Sequence, residues 1–140
     1  MSPVASQGYS GTPLVRKLGF KRGMRALYVN APSHFAALVG ELPDGVRVLA
    51  RPAPDLDLAM LFVTERRELQ RRLPGLHRKL APAGMVWVAW PKRASKVPTD
   101  VTEDVVRDVA LPRGLVDVKV CAIDETWSGL KLVIRRELRT

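Results

Sequence analysis

The sequence predicts an α/β fold of three layers, a mostly parallel sheet between helices that ends in an antiparallel hairpin. Three observations carry this expectation. Segments of helical and of extended pattern alternate along most of the chain. Two extended segments, Leu58–Val63 and Met85–Trp90, are apolar at every position, as in strands buried on both faces. The last two, Leu115–Ile123 and Leu130–Arg135, are separated by a six-residue link, Asp124 to Gly129, that reads as a hairpin connection.

Residues 1–11 contain Pro3, Gly8 and Gly11 and little apolar periodicity, so they read as an arm; residues 12–140 read as one domain. Thr12 can cap a short helix with Pro13 in its first turn, and Gly19 ends it. Arg25–Asn30 is the first strand. Ser33 can cap a helix over Phe35–Leu42, stopped by Pro43-Asp44-Gly45. Val46–Ala50 is the second strand, and Pro52 and Pro54 make the connector after it rigid. Leu56–Val63 is the third. Thr64 can cap a long helix from Glu65, in which Leu69, Leu73, Leu76 and Leu80 share one face. Pro74 should kink or split that helix. Pro82-Ala83-Gly84 turns the chain into the fourth strand, Met85–Trp90, and Pro91–Asp100 is a long basic loop. Thr102 can cap a last helix that carries Glu103 and Asp104 in its first turn and ends near Pro112-Arg113-Gly114.

The net charge of +9 is unevenly spread. Residues 64–96 hold nine basic and two acidic side chains, whereas residues 97–140 hold seven and eight. Such a segment attracts nucleic acid, a nucleotide or an acidic protein; the plainer reading is the solvated face of an Arg-rich protein. No apolar run approaches the roughly 18 residues of a membrane span, and no basic region followed by an apolar one opens the chain. Cys121 is the only cysteine, which precludes an internal disulfide and suits a cytoplasmic home.

The order of elements resembles a shortened class I S-adenosylmethionine-dependent methyltransferase, a Rossmann-like fold whose parallel sheet also ends in a hairpin with an antiparallel last strand. Asp57–Phe62 resembles the fourth strand of that family, and Leu80–Val88 the turn and strand that follow its next helix. Gly8–Leu14, Trp90-Pro91-Lys92, Pro98-Thr99-Asp100 and Asp124–Lys131 resemble an uncharacterised bacterial family of unknown function, which supplies no catalytic residues. The departures from the methyltransferase pattern bear on its cofactor. A cofactor loop after strand one needs glycines so that backbone can approach the ligand. Here Asn30 and Pro32 occupy the corresponding places, and Pro32 has no N–H. Tyr28 replaces the acidic residue within strand one, and Arg51 and Pro52 stand where an acidic residue would hold ribose. The expectation is therefore that S-adenosylmethionine does not bind and that no cofactor is used.

In open parallel sheets, ligands bind at the carboxyl ends of the strands. That edge should gather Asn30, His34, Glu65 and Trp90, then Lys92, Arg93, Lys96, Thr99 and Asp100 of the loop, then Asp124, Glu125 and Trp127 of the hairpin. His34 could serve as a general base or a phosphate contact, or be a surface histidine. Lys92 and Lys96 could face a ligand or pair with Asp124 and Glu125 to tie the loop down. Trp127 could mark a contact surface or fold over the sheet end as a lid. His77 reads as surface and Cys121 as packing, and neither histidine has a partner at metal-ligand spacing. The function expected is a non-catalytic binding or regulatory module whose basic surface takes phosphate-rich ligands. The alternative is an enzyme acting on a small molecule in a methyltransferase-like cleft without S-adenosylmethionine.

Overall fold

A computed structural model describes residues 12–140. The arm expected over residues 1–11 lies outside the described residues. The elements are α1 (Leu14–Leu18), β1 (Arg25–Val29), α2 (Phe35–Val39), β2 (Arg47–Leu49) and β3 (Leu56–Phe62), then α3 (Arg66–Lys79), β4 (Leu80–Pro91), α4 (Glu103–Ala110), β5 (Leu115–Ala122) and β6 (Trp127–Ile134). One six-stranded sheet forms in the order β2-β1-β3-β4-β6-β5. The first four strands run parallel, and β6 lies antiparallel between β4 and β5. This is the Rossmann-like architecture expected, with one strand fewer than the family pattern: the segment resembling a fourth strand is here β3.

Strand alternation builds two cores. Leu58, Met60 and Phe62 of β3 with Trp87 and Ala89 of β4 pack under Leu18, Phe35 and Val39 of α1 and α2. Ala59 and Leu61 with Val86 and Val88 point the other way, against Leu69, Leu73 and Leu76 of α3 and Val106 and Val109 of α4. Trp87 and Trp90 therefore face opposite layers. The Trp87 indole N–H donates to the Leu18 carbonyl at 2.8 Å, satisfying an acceptor at the end of α1 that would otherwise be buried alone.

Several boundaries differ from expectation for local reasons. The chain passes from α3 into β4 without a turn, so Pro82, Ala83 and Gly84 belong to the strand. The register against β3 shifts between Leu56 and Leu58. A Cβ on Gly84 would lie 2.5 Å from the Leu56 carbonyl oxygen, so only glycine permits this approach of the two backbones. Helix α3 runs through Pro74 as one element of 14 residues rather than splitting there. Leu69 and Leu73 before the proline and Leu76 after it are buried against one sheet face, which holds both halves in register. Helix α2 stops at Gly40, whose φ of 80° leaves the helical region, and does not reach Leu42. The hairpin link is shorter than expected, because Trp127 opens β6.

The crossover from β2 to β3 decides the shape of one face. It passes β1 in residues 50–55 alone, with Pro52 and Pro54 holding it extended. A parallel crossover usually takes a dozen residues or more and a helix. Val29 and Leu49 are consequently only partly buried on the α3 side.

Candidate functional site

The strand order reverses direction about β1, which has β2 on one side and β3 on the other. In open α/β sheets that switch point is where a crevice opens at the carboxyl edge. Here it is a cleft of about 250 Å³ lined by Asn30, Phe62, Val63, Thr64, Glu65, Glu68 and Trp127. Three of the residues expected at the edge, Asn30, Glu65 and Trp127, are thus brought together.

Asn30 ends β1 with φ 60°, in the left-handed region. Asparagine is among the few residues other than glycine that enter this region routinely. Its amide donates to Glu68 Oε2 at 3.4 Å. Glu68 was not expected at the site. The available signal was its place three residues after Glu65, on the same helical face. Hydrogen bonds from Arg72 and then Arg71 hold the Glu68 carboxyl down at about 2, so it is an anion whose charge is already matched.

Trp127 forms the aromatic wall. Its ring meets Phe62 edge-on at 5.1 Å, and Phe62 meets Phe35 in the same way at 5.0 Å. The indole therefore both closes the core and lines the cleft. It is placed by Asp124, whose Oδ1 accepts the backbone N–H of Thr126 at 2.8 Å and of Trp127 at 2.7 Å. The other carboxylate oxygen of Asp124 lies 2.9 Å from His34 Nε2. Burial pushes the Asp124 carboxyl up, but the bonds from His34, Trp127 and Thr126 together outweigh it and leave the group below the usual carboxylate range. A carboxylate can only accept, so Nε2 of His34 is the donor in this contact. The imidazole is mostly exposed, beside the cleft rather than in it.

Caps expected at Ser33 and Thr64 fall one residue later, on His34 and Glu65, and neither forms a side-chain cap bond. The start of α3 is instead capped from a distance. Asp100 Oδ1 accepts the Arg66 N–H at 2.6 Å, and the Thr99 hydroxyl donates to the Thr64 carbonyl at 2.6 Å. The basic loop is thereby stitched over the first turn of α3, and the Lys92 N–H holds its other end on the Thr126 carbonyl at 2.7 Å. Backbone and short polar side chains do this, not pairs between Lys92 or Lys96 and Asp124 or Glu125. The loop carries Lys92, Arg93 and Lys96, and the first turn of α3, to which it is tied, carries Arg66 and Arg67. Among the described residues, no carboxylate pairs with any of these five cations, and Glu125 is exposed and unpaired too. Trp90 stands apart: it is buried in the α3 and α4 layer and does not face the cleft. No group of three or more His, Cys, Asp or Glu able to hold a metal occurs among the described residues.

No protein-family profile and no curated protein matches the chain, so the resemblance to a bacterial family rests on its motifs alone. Solved structures do match. A S-adenosylmethionine-dependent methyltransferase from Aquifex aeolicus aligns at TM-score 0.62 and 19% identity, over 95% of this chain and 94% of the other. A type 11 methyltransferase, described as putative, from Sulfolobus solfataricus aligns at 0.64 and 15%, over 93% and 92%. The fold is that of the methyltransferases. Fibrillarin from Aeropyrum pernix, in complex with natively bound S-adenosyl-L-methionine, aligns at 0.56 and 14%, over 87% of this chain and 69% of that one. At these identities the likeness is one of fold, and function must be argued from the site.

The residues present do not fit that cofactor. After β2 the chain reads Ala50-Arg51-Pro52-Ala53-Pro54, with no carboxylate to take a ribose diol. Beyond Asn30, the Pro32 carbonyl accepts the Phe35 N–H at 2.9 Å, and Pro32 offers no N–H of its own. The cleft, at about 250 Å³, is also smaller than the roughly 300 Å³ at which small-molecule sites begin.

Proposed function

We propose that this chain is a non-catalytic binding module of methyltransferase-like fold that takes phosphate-rich ligands, a nucleotide or a nucleic-acid strand. The observation that carries the reading is the rim of five cations without carboxylate partners, Arg66, Arg67, Lys92, Arg93 and Lys96, fixed against α3 by Asp100 and Thr99. Unpaired cations on one edge raise the local concentration of phosphates. The adjoining cleft offers an indole face and an amide, which suit a base stacked on Trp127 beside the phosphates. The acidic lining from Glu65 and Glu68 keeps the phosphates on the rim and out of the cleft.

The test is binding of a labelled single-stranded oligonucleotide across a salt series. Affinity should fall steeply with salt, because each neutralised phosphate releases counterions. Reversing Lys92, Arg93 and Lys96 to glutamate should flatten the slope and leave the melting temperature nearly unchanged, since exposed charges add little stability. Absence of binding by the parent at low salt, or an unchanged slope in the variant, overturns the reading.

One observation favours a second reading, an enzyme acting on a small molecule without S-adenosylmethionine. The His34–Asp124 pair stands beside the cleft with the imidazole mostly exposed, an arrangement suited to proton transfer. Turnover of a small hydroxyl or amine substrate that His34→Gln and Asp124→Asn both abolish would support it. Turnover unaffected by either change removes it.

A further inference from the structure

A second concavity adjoins the carboxyl-edge cleft on the α3 face of the sheet, the two meeting where Glu68 of the cleft accepts from Arg71 and Arg72 of the groove. It is a groove of about 290 Å³ lined by Val29, Pro52, Arg71, Arg72, Gly75, Leu76 and Lys79. Its origin is the short crossover: residues 50–55 pass where a helix would otherwise cover β1, and the strap and α3 become two walls. Val29, Pro52, Gly75 and Leu76 make an apolar floor. Every charged residue at the rim is a cation.

Helix α3 breaks its own rules at this place. Pro74 and Gly75 stand together inside it, where proline and glycine cost about 3 and 1 kcal/mol relative to alanine. Packing does not require the glycine. A Cβ there would meet only the far end of the Arg78 side chain, at 3.9 Å. What the missing side chain does is leave the groove open. A local rule broken without a packing gain is the mark of a functional position.

We propose that this groove binds a small amphiphilic anion: a flat aromatic system or short apolar chain that lies on Val29 and Leu76, with a carboxylate or phosphate head between Arg71, Arg72 and Lys79. Arg71 and Arg72 each spend one N–H group on Glu68, which leaves most of the five donors of each guanidinium for the ligand. Lys79 has no carboxylate partner among the described residues. At about 290 Å³ the groove suits a flat aromatic system of one or two fused rings and not a helix or strand of another protein.

The probe is 2-naphthoate, with neutral 2-naphthamide as control, followed by amide chemical shifts in the full chain. Naphthoate should shift Val29, Gly75, Leu76 and Lys79 saturably, and naphthamide should bind about tenfold more weakly, the worth of one hydrogen bond to a charged group. Gly75→Leu fills the groove, so it should weaken naphthoate by about tenfold or more. It should also hold or raise the melting temperature, since leucine is the better helix former. Lys79→Glu should weaken naphthoate and spare the amide, and it decides the matter if Gly75→Leu does not fold. Oligonucleotide binding at the Lys92–Lys96 rim should be unchanged by Gly75→Leu, which separates this site from the other. Equal binding of acid and amide, saturable shifts only at the rim, no saturable shifts, or full binding by Gly75→Leu each overturns the proposal.

Discussion

Asn30 shows how a residue other than glycine can hold a left-handed turn at the end of a strand. Its φ of 60° costs a residue with a β-branched side chain far more than it costs glycine or asparagine. Asn30→Val should therefore lower stability by about 1–2 kcal/mol, and Asn30→Gly should stay within about 1 kcal/mol of the parent, both read from urea melts. Three carboxyls held below their ordinary range, Glu68, Asp117 and Asp124, make the fold sensitive to acid. The Glu68 carboxyl titrates at about 2 against an ordinary 4.5, so its contribution is complete above pH 4.5 and is lost as pH falls toward 2. Asp124 is also held below its ordinary 3.8, with the same sign. The melting temperature should fall with acid below about pH 4.5, and Glu68→Gln should make that fall shallower. An equally steep fall in the variant would place the acid sensitivity elsewhere.

At the scale of elements, the parallel strands at the centre carry the stability. Leu61 of β3 is fully buried between β1 and β4 and under α3. Leu61→Asp leaves a charge there without a partner and should cost more than about 4 kcal/mol, giving an unfolded or insoluble chain. A soluble variant with a cooperative melt would contradict the placement of β3. The hairpin contains a smaller, opposite opportunity. Lys119 of β5 stands directly across from Lys131 of β6. Burial first, then the charges of Lys119 and Lys21, lowers the pKa of Lys131, so the folded state works against this ammonium. Lys131→Glu should turn a repulsive pair into an attractive one and raise stability by about 0.2–1 kcal/mol. Thermal melts at neutral pH would show it as a higher midpoint.

For the whole molecule, the short crossover from β2 to β3 governs which faces of the sheet stay open. The sheet has its switch point at β1, and with it the cleft, and the region after β2 is an extended strap. Residues 50–54 of that strap offer no carboxylate to a ribose. Calorimetry with S-adenosylmethionine and S-adenosylhomocysteine should accordingly give no specific heat of binding. Micromolar affinity for either, lost on changing Asn30, would reverse that reading. The same strap leaves open the groove beside α3.

Much of the architecture was legible in the residues themselves. Continuous apolar runs at Leu58–Val63 and Met85–Trp90 imply strands covered on both sides, because water on either face would be costly at every position. The four-three spacing of Leu69, Leu73 and Leu76 marks α3, whereas Leu80, expected on the same helix, opens β4; Thr102 marks the start of α4, where its hydroxyl does accept the Val105 N–H at 3.2 Å. Such features depend on neighbours in sequence. What escaped the sequence depends on partners remote in it. The bond between His34 and Asp124 spans 90 positions, and that between Arg66 and Asp100 spans 34. Trp90 carries the residue type of a site, yet its parity on β4 turns it into the core. Pro74 predicts a break that burial of Leu69, Leu73 and Leu76 on one face overrides. Local pattern and propensity determined which segments are strands and helices. Only the three-dimensional pairing of β1 with β3, and of the loop with α3, decided which side chains meet, because those contacts form after the elements have packed.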